Sequence, residues 1–108
     1  MVAPRLDINL NKIYHNACEL VSRLAERDIS VTGVTKASLG SIEIANILLR
    51  AGVVSLGDSR IENIKAMRMA GSDGCMMLIR SPMLSQVRQV VKSVNISCNT
   101  EVAVIKAL

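Results

Sequence analysis

The side chains able to do chemistry in this 108-residue chain are few and recur at intervals. Lys36 ends a β-branched run, Val31, Thr32, Val34 and Thr35, and the small residues Ala37, Ser38, Gly40 and Ser41 follow it with turn and helix-start chemistry. Asp58-Ser59-Arg60, Arg80-Ser81 and Asn99-Thr100 each follow a further apolar run in the same way. Taken alone, a lysine there marks the point where a buried strand emerges into water. With an apolar strand beneath it, such a lysine is partly desolvated, which disfavours its charged form. His15 lies off the apolar stripe of its segment and reads as a surface or helix-cap residue. Cys18, Cys75 and Cys98 are widely separated and form no C-x-x-C pair, so they read as reduced, mostly buried thiols, with neither a disulfide framework nor a metal site expected.

These positions are set by a regular rhythm of elements. Ile13, Ala17, Leu20, Val21 and Leu24 fall on one stripe of a helix that should stop near Asp28, and Arg5 to Leu10 alternates like a short strand before it. Strand-like runs then occupy Val31 to Lys36, Val53 to Gly57, Cys75 to Arg80 and Val94 to Cys98. Each is followed by a candidate helix cap: Ser41, Ser59 in an S-x-x-E box with Glu62, Ser81 before Pro82, and Asn99. Ala51-Gly52 and Ala70-Gly71 mark helix ends.

Strands alternating with helices of this length require a parallel sheet, because a parallel connection needs a crossover. The near-continuous apolar runs Val53-Val54 and Cys75 to Ile79 predict strands buried on both faces. An open doubly wound sheet and part of a (β/α)8 barrel both fit, and in either one ligands bind beyond the carboxyl ends of the strands. Lys36-Ala-Ser-Leu-Gly40 carries no glycine-rich phosphate fingerprint, which counts against the nucleotide-binding open sheet. Four βα units ending inside an apparent helix at Ala107-Leu108 lead us to expect the N-terminal half of a barrel, truncated from a larger fold of about 250 residues.

Composition narrows the classes of function. The formal net charge is +4, but the arginines and lysines are dispersed and Tyr14 is the only aromatic residue, which argues against nucleic acid as a partner. Dispersed cations of this kind read as solvated helix faces. No apolar run approaches the ~18 residues of a membrane span, and the first residues lack a signal-peptide core, so a soluble, cytoplasmic protein with no membrane partner is expected. Without Phe or Trp the core must be aliphatic, with the six methionines as gap fillers.

The sequence resembles the alanine racemase N-terminal-domain family of fold-type III pyridoxal-phosphate enzymes, and most closely its ornithine and alanine racemase-like branch. The stretches that carry the resemblance are Leu6 to Asn11 with His15-Asn16, Val34-Thr-Lys36-Ala37, Gly57 to Asn63, Leu78 to Met83 and Ile96 to Glu101. It implies a (β/α)8 barrel, pyridoxal 5'-phosphate as cofactor, and Lys36 as the residue that holds it as a Schiff base and then serves in acid/base chemistry. It also implies a second acid/base group, a tyrosine from a further domain of a partner subunit, for which Tyr14 in the first helix is no match. Alanine racemases proper carry a tyrosine four residues after the cofactor lysine, where this chain has Gly40.

The expected function is thus a pyridoxal-phosphate-dependent amino-acid racemase acting on a small-molecule amino-acid substrate, as a homodimer, with this segment inactive alone. A non-catalytic pyridoxal-phosphate carrier and a ligand-free oligomeric fragment are the alternatives; a decarboxylase of the same fold type is disfavoured by Gly57 to Asn63. Arg80 has two readings, a contact to the cofactor ring or substrate carboxylate and an ion pair to Asp58 across the rim.

Overall fold

The computed structural model describes residues 2–108. After an irregular, exposed segment, helix α1 spans Leu10–Ala25, opened by the Asn9 side chain accepting the Lys12 N–H at 3.1 Å. The strand predicted over Arg5 to Leu10 does not form, because no strand stands beside it, and Leu6 stays 85% exposed. The chain turns at Asp28, whose φ of 58° is left-handed, as the expected stop near that residue requires.

Four βα units follow. The strands are β1 (Thr32–Val34), β2 (Ser55–Asp58), β3 (Met76–Leu78) and β4 (Ile96–Ser97); the helices after them are α2 (Ile42–Ala51), α3 (Ile61–Met69), α4 (Val87–Ser93) and α5 (Val102–Ala107). The sheet is wholly parallel in the order β1-β2-β3-β4, with Val34 level with Gly57, Gly57 with Met77, and Met77 with Ile96. This is the α/β arrangement expected of the N-terminal half of a (β/α)8 barrel.

Helix signals worked where the cap is local. Ser41 Oγ accepts the Ile44 N–H at 3.4 Å, and Gly52 and Gly71 close α2 and α3 at φ of 106° and 97°. Three predicted caps are corrected. Ser59 does not cap α3: Arg60 is the last extended residue, and its N–H bonds instead to the Asp58 carboxylate at 2.9 Å. Ser81-Pro82 does not open α4, which begins only at Val87 after a 3-10 turn over Leu84–Gln86, with Gln86 Oε1 accepting the Met83 N–H at 3.0 Å. Asn99 spends its amide on Ser97, and α5 starts beyond Glu101.

The core lies between the sheet and the helices. Leu56, Met76 and Leu78 point to that side and pack with Ala45, Ile61, Ile64, Met67 and Val90, and burial of each of the larger side chains contributes roughly 1.5–3 kcal/mol. The sheet is not covered on both faces as its apolar runs suggest. Gly33 faces Leu48 of α2, so Thr32 and Val34 face away; a Cβ on Gly57 would meet Thr32 and Ile79 at 3.3 Å on that same inner face. Val34 and Ile96 remain 48% and 45% exposed there, since four strands of a barrel enclose no interior.

Arg68 corrects the reading of the cations as solvated faces. Near the end of α3 its guanidinium donates to Ser72 O, Gly74 O, Ser93 O and Asn95 Oδ1 at 2.7–3.0 Å, tying the starts of β3 and β4 together. Asn95 Oδ1 also accepts the Met76 N–H at 2.8 Å.

Candidate functional site

Parallel strands bring all their carboxyl ends to one edge, and the hydrogen bonds fix how far each reaches. Thr35 N donates to Gly57 O at 2.9 Å, Ile79 N to Asp58 O at 3.0 Å and Cys98 N to Leu78 O at 2.9 Å. Lys36, Ser59, Arg80 and Asn99 therefore leave the sheet along a common rim, as the sequence pattern required.

Lys36 is the first residue of a 3-10 turn, Lys36–Ser38, and its side chain is exposed. Desolvation of its amine is not supplied by the described residues. No hydrogen bond or ion pair engages its ammonium among them. Its backbone, by contrast, is held closely. Thr35 O accepts from Ser38 N, Ser38 Oγ and Gly40 N at 3.0–3.2 Å, and Leu39 and Gly40 take successive left-handed conformations at φ of 55° and 70°. A left-handed leucine is a strained position that its surroundings must impose.

Asp58 is the anchor beneath this turn. Its side chain is fully buried, and Oδ2 accepts the Thr35 hydroxyl at 2.7 Å while Oδ1 accepts Arg60 N at 2.9 Å and Asn63 Nδ2 at 3.1 Å. The Arg80–Asp58 ion pair, one of the two readings of Arg80, is absent among the described residues, because both carboxylate oxygens are already occupied inside the protein. The sequence signal for this role was the Asx pattern of Asp58 to the N–H two residues on.

Arg80 is exposed and lines a cavity of about 340 Å³ with Arg60, Glu62, Leu78, Ser81 and Met83, of which Ser81 Oγ is buried without a partner. Lys36 is not among the residues lining that cavity, so the two candidate residues share the rim but not one pocket. Arg60 is turned toward Glu62 at 4.0 Å.

The remaining candidates lie elsewhere. Tyr14 stacks under the Arg50 guanidinium at 5.3 Å, and Arg50 lies in the last turn of α2 at the amino side of the sheet, opposite the rim. The Cys18 thiol one turn along holds the Tyr14 phenol above its usual range, burial adding to this and Arg50 opposing it. His15 is exposed on α1. Cys18 and Cys75 are half-buried and unpaired, whereas Cys98 is exposed at the rim rather than buried. No group of three metal-ligating side chains occurs among the described residues, and no helix there is long and apolar enough to cross a membrane.

Comparison with known proteins places this geometry. The family description "Alanine racemase, N-terminal domain" matches residues 8–106. A lysine racemase of Thermotoga maritima is 46% identical over 92 residues, covering 85% of this chain and 26% of that protein. An ornithine racemase of Acetoanaerobium sticklandii is 35% identical over 106 residues, covering 97% of this chain and 29% of that protein. The chain thus spans less than a third of the length of the curated relatives it matches. With a rim lysine on a parallel βα sheet and a match over nearly its whole length, the chain belongs to the alanine racemase N-terminal-domain family.

Proposed function

We propose that this chain is the cofactor-carrying part of a pyridoxal-phosphate-dependent amino-acid racemase, with Lys36 as the residue that bonds the cofactor. One observation carries the reading. Lys36 is an exposed amine with no partner among the described residues, on a turn fixed at the carboxyl end of the first strand. An unpaired amine on a fixed backbone suits covalent capture of an aldehyde. Bound there, the cofactor supplies an electron sink for loss of the substrate α-proton.

The chain's own residues then have separate tasks. The Lys36 amine would hold or return a proton on one face of the substrate α-carbon. The opposite face needs a second group, and none is at the Lys36 turn. Arg80 presents a guanidinium suited to a carboxylate, with Arg60 beside it in the same cavity. The names of the two relatives favour lysine or ornithine, amino acids with a second amine, as the substrate class. The remaining grip on cofactor and substrate belongs to the length of those relatives that this chain does not span.

Incubation with pyridoxal 5'-phosphate, reduction with borohydride and peptide mapping test the assignment. The adduct is expected on Lys36 well above Lys12, Lys65, Lys92 and Lys106, and Lys36→Ala should abolish the preference. Equal labelling of all five positions would remove Lys36 from the role. The exposure of Lys36 also suits a non-catalytic carrier; loss of optical rotation from L-lysine or L-ornithine, measured on a protein of the relatives' full length, separates carrier from racemase.

A further inference from the structure

We propose that Asp58 is a positioning residue for Lys36, acting through Thr35 on one side and Asn63 on the other. The inference rests on the reading of Lys36 given above. The carboxylate is buried beneath the turn and joins three segments. Thr35, itself buried, immediately precedes Lys36 and gives its hydroxyl to Oδ2 at 2.7 Å. Arg60 N and Asn63 Nδ2 bind Oδ1 at 2.9 and 3.1 Å, which fixes the first turn of α3 to the same group. Asn63 in turn backs the far end of the Lys36 turn: a Cβ at Gly40 would lie 2.9 Å from Asn63 Cβ and 3.1 Å from Asn63 O. Both ends of the segment from Thr35 to Gly40 are therefore referred to one carboxylate.

An exposed lysine gains from this because its side chain has no contact of its own to orient it. With no partner for the ammonium, the direction in which the amine leaves the rim is set by the backbone at Thr35 and Gly40. Charged hydrogen bonds made inside the protein are stronger than neutral ones, so a buried carboxylate is a stiff fixture for such a turn. Asp58 does not reach solvent and is taken up by its three partners, so its part is indirect.

The test uses Thr35→Val, which replaces the hydroxyl by a methyl group, Thr35→Ser, which keeps a hydroxyl, and Asn63→Ala, which cuts the other arm. Two readouts are taken on protein shown to be folded by circular dichroism. These are the ratio of Lys36 to other-lysine labelling by pyridoxal 5'-phosphate and borohydride, and amide hydrogen exchange at Ser38 and Gly40 against the Leu56 and Met76 strands. Thr35→Val and Asn63→Ala are each expected to lower the labelling ratio and to speed exchange at Ser38 and Gly40 by about tenfold, the scale of one lost charged hydrogen bond. Thr35→Ser should return both to the parent values. An unchanged labelling ratio in a folded Thr35→Val protein, with only its melting temperature lowered, would reduce Asp58 to a purely structural group and overturn the proposal. If the parent chain shows no preference for Lys36, the reading of Lys36 fails by itself; the exchange data then decide whether Asp58 fixes the turn, and unaltered exchange in both variants overturns that claim too.

Discussion

A Cβ on Gly40 would stand 2.9 Å from the Cβ of Asn63, closer than such atoms approach, and the Gly40 backbone already lies at a φ of 70°. The residue four places after the rim lysine is therefore glycine for a packing reason. A tyrosine there, the residue by which alanine racemases proper depart from this chain, cannot enter without displacing α3. Gly40→Ala should cost about 1–3 kcal/mol through the strained backbone alone, with the clash in addition. In a chain of this length that lowers the melting temperature by roughly 4–8 °C per kcal/mol. A thermal melt unchanged by Gly40→Ala would show that the turn can move away from α3.

At the opposite edge, the four bonds from Arg68 make it the most connected cation described. Arg68→Ala removes this donor from three backbone carbonyls and leaves Asn95 Oδ1 with the Met76 N–H alone, and a loss of about 2–4 kcal/mol is expected in urea unfolding. Lysine keeps the charge but not the planar fork, so Arg68→Lys should recover less than half of it. Equal midpoints for the arginine and lysine proteins would mean that charge alone matters at this position.

Acid should loosen α2 at its first turn. Ser41 Oγ donates to Glu43 Oε2 at 3.0 Å, and the Glu43 backbone N–H, the larger effect, joins it in holding that carboxyl below its ordinary 4.5. Because the folded value is depressed, the contribution to stability is complete above 4.5 and is lost as the pH falls through the lowered value. Glu43 is exposed, so solvent screens the interaction and the effect is small. Melts of the parent and Glu43→Gln proteins should differ above that range and converge below it. A difference that persists in acid would assign the effect to something other than ionisation.

The order of elements was legible because its signals are local. Val31 to Thr35, Ser41, Gly52 and Gly71 each announce a strand, a cap or a helix end within a few residues, and the rim position of Lys36 follows from the topology they imply. What stayed hidden depends on partners distant in sequence. Thr35 and Asp58 are 23 residues apart, and Arg68 and Asn95 are 27 apart. Nothing near Arg68 distinguishes it from Arg88, which remains exposed. Ser59 and Ser81 misled for the same reason: a serine before a helical pattern is a good local cap, but Asp58 had already met the Arg60 N–H, and Gln86 bound the chain further on. The apolar strands promised two covered faces, yet hydropathy cannot say whether a second layer is present.

The Arg68 cluster and the Asp58 network stand at opposite edges of one sheet, separated by the length of its strands and by the Leu56, Met76 and Leu78 core. They share no hydrogen-bond partner, so substitutions in the two should combine additively. The cohesion of the amino edge and the fixing of the Lys36 turn are thereby placed on separate tracts of the chain. The amino edge can be reinforced or worn down over generations while the lysine at the other edge keeps its bearing.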